Sequence, residues 1–223
     1  IIAEKSQTFG IQVDVKKGLM FERGFLSPYM ASDMGNMKGE LDEAYVLITD
    51  QKILNIQDIL PVLEAVKQAV HPLLIIAEDL GNEVVNTLLL NRMHKTLDVV
   101  AVKAPGFMDS DSRKKQLMDI AVLTGGQVIS PEFGLTPADA TKAMLGRAKK
   151  VKITKDSTLI VGGFGNKEAI EERCKQIKAE LERTTASGER RELRERLAKM
   201  SGGIGILRVG AATETELISV RRR

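Results

Sequence analysis

The 223 residues are 43% hydrophobic and 28% charged, an ordinary globular make-up, and a chain of this size can bury roughly 70% of its unfolded surface. Lys and Arg number 33 against 30 Asp and Glu, a net charge of +3 with the signs interleaved, which argues against a nucleic-acid partner; no Trp, two Tyr and six Phe argue against base stacking on aromatic rings. The one cysteine, Cys174, lies in a charged helical stretch and leaves no internal disulfide framework or cysteine-rich metal site, and no apolar run approaches the roughly 20 residues of a membrane span. The chain opens on Ile1-Ile2-Ala3-Glu4, without an initiator Met or signal-peptide pattern, and closes abruptly on Arg221-Arg222-Arg223, as an excised piece of a longer protein would.

Alternation at Ile11, Val13 and Val15 predicts a half-buried strand that breaks at Lys16-Lys17-Gly18. Residues 30–40 carry turn residues without a period and read as a loop, and 44–50 read as a short buried strand. A helix follows to Val70, with Asn55 or Asp58 as N-cap and Pro61 near its start; His71-Pro72 ends it. Leu73 to Ala77 is a buried strand, Gly81-Asn82 opens a helix to Met93, and 98–102 is a strand. Ser112 to Leu123 is a helix stopped by Gly125-Gly126, 127–130 a strand, and Thr136 to Leu145 a short helix with Pro137 at its first position. Strands at 151–154 and 158–161 flank a Lys155-Asp156 turn. Residues 166–200 are rich in Glu, Lys and Arg, with Leu or Ile every three to four positions, and 185–188 split them into two helices. A last strand, 204–209, follows Gly202-Gly203. Strands alternating with helices predict an α/β fold.

Few residues carry chemistry. His71 and His94 each stand near a helix C-terminus with no second ligand at metal spacing, and neither a Gly-x-Ser-x-Gly elbow nor a Walker A loop occurs. Gly162-Gly163-Phe164-Gly165 follows a strand and opens a helix, as a dinucleotide loop does. Glu168 stands where the third glycine belongs, so the alternatives are a small nucleotide-binding α/β enzyme using the Gly162–Gly165 loop or a plain glycine turn. The helices 56–70 and 81–93 hold more apolar residues than one core stripe needs. Ile56, Leu60 and Leu63 share one face of the first; Val85 and Leu89 share one face of the second, Val84 and Leu88 another, with Leu90 beside them. Either both helices are buried on two sides, or they expose an apolar groove that binds other proteins with low sequence specificity.

Several segments resemble the group I chaperonins, the GroEL type. They are Arg23-Gly24-Phe25-Leu26-Ser27-Pro28-Tyr29, Asn55 through Pro61-Val62-Leu63-Glu64-Ala65-Val66, and Pro72-Leu73-Leu74-Ile75-Ile76-Ala77-Glu78-Asp79. Further on come Val99 to Val102 with Lys103-Ala104-Pro105-Gly106-Phe107, Leu123-Thr124-Gly125-Gly126, and Val209-Gly210-Ala211-Ala212-Thr213-Glu214. They span nearly the whole chain in the family's order. The resemblance implies an apical substrate-binding domain over 18–203, of two β layers flanked by helices, between intermediate-domain segments at 1–17 and 204–223. Gly18, Gly202 and Gly203 match the hinges.

The resemblance implies a chaperone fragment that binds non-native polypeptides and the co-chaperonin mobile loop. Phe25, Ser27, Tyr29 and Met30 match the underlying segment of the groove; Leu60 and Leu63 match its first helix, and Val85, Leu89, Leu90 and Asn91 its second. Phe25 departs from the family's frequent Tyr, Met30 from a common aromatic, and residues 31–43 diverge. ATP and Mg belong to the full-length protein, an ATPase assembled as a heptameric double ring; for the fragment the resemblance implies a monomer with no catalytic residue, cofactor, metal, nucleic acid or membrane partner. It implies a bacterial cytoplasmic location, or a mitochondrial or plastid matrix in a eukaryote.

Overall fold

The computed structural model describes the backbone of residues 2–5, 10–107, 110–201 and 203–210, and side chains over 18–107 and 110–201. In chain order come β1 (Ile2–Lys5), β2 (Gly10–Phe21), β3 (Lys38–Thr49), β4 (Lys52–Ile53), α1 (Ile56–Ala69), β5 (Leu73–Ala77), β6 (Asp79–Leu80) and α2 (Asn82–Met93). Then follow β7 (Val99–Lys103), α3 (Asp111–Thr124), β8 (Val128–Ile129), β9 (Gly146–Thr154), β10 (Thr158–Gly163), α4 (Lys167–Arg183), α5 (Ser187–Ser201) and β11 (Gly203–Gly210). The chain is α/β. Where two β layers were expected, the hydrogen bonding forms one mixed nine-stranded ladder in the order β1-β11-β2-β10-β9-β3-β5-β7, with β8 on β3, and a separate two-stranded ribbon of β4 and β6.

β5 has no polar residue, and all five of its side chains are buried. It pairs in parallel with β3 and β7, and β8 pairs in parallel with β3. Such strands need cover on both faces. Right-handed crossovers from β3 through α1 to β5, and from β5 through α2 to β7, step the same way and place α1 and α2 together on one face. The return from β7 through α3 to β8 steps the other way and places α3 on the opposite face.

Four expectations are corrected. The strand of Ile11 to Val15 does not break at Lys16-Lys17-Gly18, because two partners serve it: 10–17 pair with β11 and Gly18 to Phe21 with β10. The change of partner falls between Lys17, opposite Gly203, and Gly18, opposite Val161. β3 begins at Lys38, inside the expected loop, since Gly39 and Leu41 turn inward while Glu40 and Asp42 stay exposed beside β9. The expected helix at 136–145 is two 3₁₀ turns, Pro137–Asp139 and Lys142–Met144. Asp139 accepts from the Thr136 N–H at 2.7 Å in a capping box that starts the first turn, and extended backbone at Ala140 and Thr141 ends it and separates it from the second. Pro61 lies inside α1 rather than at its first turn. Of the expected hinges, Gly202 lies outside the described residues, as do 211–223.

α1 ends on Val70, a β-branched residue in the left-handed region (φ 58°) and 87% exposed, a position that glycine fills with less strain. α3 ends on Gly125 (φ 75°), which suits that conformation.

α4 and α5 are mostly charged and bury only a thin apolar stripe, chiefly Cys174, Ile177, Leu193 and Met200. A buried charge cluster adds to it. Asp119 of α3, 2% exposed, accepts from Arg173 Nε of α4 at 2.8 Å and from Arg196 Nε and Nη2 of α5 at 2.7 and 3.0 Å. One carboxylate therefore ties three helices. Nearer the surface, Lys115 Nζ meets Glu180 Oε1 at 2.5 Å, and that lysine holds the Glu180 carboxyl below its ordinary value. Asp119→Ala leaves two guanidiniums without their carboxylate and is expected to destabilise the fold by about 3–5 kcal/mol, against under about 1 kcal/mol for Lys115→Ala. Urea unfolding of both variants checks the order.

Candidate functional site

The core claims one stripe of each helix on the α1/α2 face. On α1 it takes Ile59, Val62, Leu63 and Val66; on α2 it takes only Val84 and Leu88. The two helices also touch each other. Apolar residues remain outside. Leu60 is 42% exposed and Leu90 53%, while Ile56, Val85 and Leu89 are half-buried against the core. Leu54 just before α1 (59%) and Met93 at the end of α2 (77%) are more open still. These two lie at the helix boundaries; the Leu89-Leu90-Met93 spacing was the available signal for Met93, and Leu54 had none. Isolated exposed apolar residues are common on protein surfaces; here several lie on two helices that touch.

The segment before β3 lies along the outer edge of β7. Leu26 N–H donates to Ala101 O at 2.9 Å, Lys103 N–H to Gly24 O at 3.2 Å, and Ala101 N–H to Met30 Sδ at 3.3 Å. Phe25 pairs opposite Val102, half-buried, and its ring covers Gly39, where a Cβ would stand 3.0 Å from the ring.

The ten residues matched to a groove thus separate. Leu60, Leu90 and Tyr29 (69% exposed) are open, and Phe25, Val85, Leu89 and Asn91 are half-buried. Met30 is fully buried, and Ser27 and Leu63 are 7% and 6% exposed; these three lie within the fold and not on a free surface. Met30 is held by β7, and Leu63 turns to the same side of α1 as Ile59 and Val66. Asn91 is committed to the end of its own helix: its Nδ2 donates to Thr87 O at 2.9 Å and its Oδ1 accepts from Thr96 Oγ1 at 2.9 Å.

The glycine loop is built into the packing. Gly165 N–H donates to Leu123 O at 3.0 Å and Phe164 N–H to Arg147 O at 3.0 Å. Asn166 Oδ1 accepts from the first amides of α4, Glu168 N–H at 2.8 Å and Ala169 N–H at 3.2 Å. A phosphate would have to displace these bonds. The glycines let the backbone approach the last turn of α3, where a Cβ at Gly163 or Gly165 would overlap the Leu123 or Val122 carbonyl. Between Tyr45 and Phe164, the Arg147 guanidinium carbon stands 4.6 and 5.3 Å from the two ring centroids.

A second charge cluster, unseen in the sequence, lies at the end of β5. Glu78 pairs with Arg113, whose Nε and Nη2 donate to Pro105 O at 3.1 Å and Gly106 O at 2.9 Å. Burial, helped by nearby Arg23, lowers the Arg113 pKa from its ordinary value. With its Nε, Nη1 and Nη2 each matched to an acceptor, Arg113 fixes the turn after β7. His71 stands edge-on to Tyr45 at 5.7 Å, and His94 is exposed at the end of α2. Among the described residues no group of three or more His, Cys, Asp or Glu could hold a metal, and no helix is long and apolar enough to cross a membrane. No protein-family model matches the chain.

Because the Gly165 backbone rests on the Val122 and Leu123 carbonyls, Gly165→Ala is expected to cost about 1–3 kcal/mol of stability without any nucleotide present. Denaturant melts decide it; an unchanged midpoint would mean the loop is free of α3.

Proposed function

We propose that this chain is a polypeptide-binding domain of the chaperonin apical type, which holds non-native chains on the apolar surface of α1 and α2. One observation carries the reading: two touching helices that already cover the sheet keep Leu60, Leu90 and Met93 exposed, with Ile56, Val85 and Leu89 partly so. Leu and Val contacts discriminate poorly between apolar sequences, which suits a binder of unfolded chains. The sequence resemblance supports the same face and adds a co-chaperonin mobile loop as a second ligand. ATP-driven folding, with ATP and Mg, belongs in this proposal to the full-length assembly. The bonded amides of the Gly162–Gly165 loop favour polypeptide binding over a nucleotide enzyme.

Leu60 and Leu90 each keep about half of their surface in water. Burying the remainder of one leucine contributes about 1 kcal/mol, and of both about 2 kcal/mol. Leu60→Ser combined with Leu90→Ser is therefore expected to weaken binding of an extended apolar peptide by about thirtyfold, with a stability cost near 1 kcal/mol per site. Leu63→Ser, in the core, is expected to lose about 2–5 kcal/mol of stability. Paired melts and peptide titrations separate the effects. Unchanged peptide affinity in the double variant would overturn the reading.

A further inference from the structure

β7 is the last strand of the ladder, and its sequence, Val99-Val100-Ala101-Val102-Lys103, is rich in β-branched residues and carries a single charge. A strand of that kind with an open edge is a template for pairing with another chain. Two end bonds fix which of its backbone groups face outward. Leu73 N–H donates to Asp98 O at 2.9 Å and Ala104 N–H to Ala77 O at 2.8 Å. Val100 and Val102 therefore turn their backbone groups to β5, while Val99, Ala101 and Lys103 turn theirs away from the sheet.

Three separate parts of the chain meet those outward groups. Leu26 N–H donates to Ala101 O at 2.9 Å, and Gly24 O accepts from Lys103 N–H at 3.2 Å. Met30 Sδ accepts from Ala101 N–H at 3.3 Å. Arg92 Nη1, from α2, donates to Val99 O at 3.1 Å and to Asp98 Oδ1 at 3.0 Å. A leucine would fill the volume of the fully buried Met30, but only the sulfur offers the Ala101 amide an acceptor. The segment 24–26 does not become a new edge. Its bonds to β7 run from Gly24 and Leu26, so Phe25 alone turns its backbone groups outward, and Pro28, which has no N–H, opens a 3₁₀ turn just beyond.

We propose that Leu26, Met30 and Arg92 together guard the β7 edge, and that without them this edge pairs with β7 of a second copy of the chain. A second copy fits because it brings the same strand, and an antiparallel pair of identical strands is self-complementary. Centred on Ala101, such a pair sets Lys103 of one copy opposite Val99 of the other, which keeps the two lysines apart. The inference is independent of the polypeptide-binding reading.

Amide hydrogen exchange by NMR on the 223-residue chain tests the sulfur. In Met30→Leu, exchange at the Ala101 amide is expected to accelerate by roughly two- to tenfold, with the Val100 and Val102 amides, which face β5, unchanged. Leu26→Pro combined with Arg92→Ala removes the donors to Ala101 O and Val99 O. Sedimentation of this double variant at micromolar concentration is expected to show a dimer, with the Val99, Ala101 and Lys103 amides slower to exchange in the dimer than on dilution, while the parent chain stays monomeric. Equal Ala101 exchange in Met30→Leu and the parent, a folded double variant that stays monomeric, a dimer whose protected amides lie outside β7, or a parent that itself dimerises through β7 would each overturn the proposal. Should the double variant not fold, the Met30→Leu exchange decides alone.

Discussion

Five consecutive apolar residues, Leu73 to Ala77, have no solvent side, and the arrangement of the domain follows from keeping water off both faces of that strand. Parallel neighbours force crossover connections, and the handedness of crossovers sends α1 and α2 to one face and α3 to the other. The two faces are then completed differently. α3 is covered by α4 and α5, whose sparse apolar stripe is supplemented by Asp119 gripping Arg173 and Arg196. A buried ion cluster of this kind adds little net stability over an apolar replacement, but it is costly to break, and it fixes where the charged helices dock. α1 is flanked by the 3₁₀ turns Pro137–Asp139 and Lys142–Met144, yet Leu60, Leu90 and Met93 on α1 and α2 stay in contact with water.

That asymmetry underlies the functional proposal. Leu60, Leu90 and Met93 contribute little to the core at their exposures, so the fold does not account for their apolar character. The glycine loop is the reverse case. It resembles a phosphate cradle in sequence, yet its Phe164 and Gly165 amides bond to Arg147 and Leu123, Asn166 takes the first amides of α4, and its missing side chains make room for carbonyls of α3. Glycine after a strand marks a close approach of something; here that is another part of the same chain.

Much of the architecture was legible in the sequence because the apolar spacing was strong. β5, α1, α2, α3 and the pair α4 and α5 lie within a residue or two of their predicted bounds. The misreadings share a cause: local residue chemistry does not reveal the partner. Lys16-Lys17-Gly18 looks like a break until two different strands are seen to pair on either side of it. Glu40 and Asp42 look like loop residues until β9 lies beside them, where Lys150 meets Glu40 at 2.7 Å. Thr136-Pro137 opens a helix in most contexts, and with Asp139 it opens one here, but the backbone turns extended at Ala140 after a single 3₁₀ turn. At the site, periodicity gave each helix two apolar faces without saying which the core would take. Leu63 and Met30 went inward and Leu60 and Leu90 did not. The Asp119 and Glu78 clusters join residues far apart in sequence and left no local pattern to find.

The central claim is that the outward face of α1 and α2 is where a non-native chain is held. An amide and methyl NMR footprint of a permanently unfolded polypeptide on the chain tests it most directly. The account predicts perturbation centred on Ile56, Leu60, Val85, Leu89, Leu90 and Met93, with the Gly162–Gly165 loop and the outer surfaces of α4 and α5 silent. A footprint centred on α4 and α5 or on the glycine loop, or no saturable footprint at all, would contradict it.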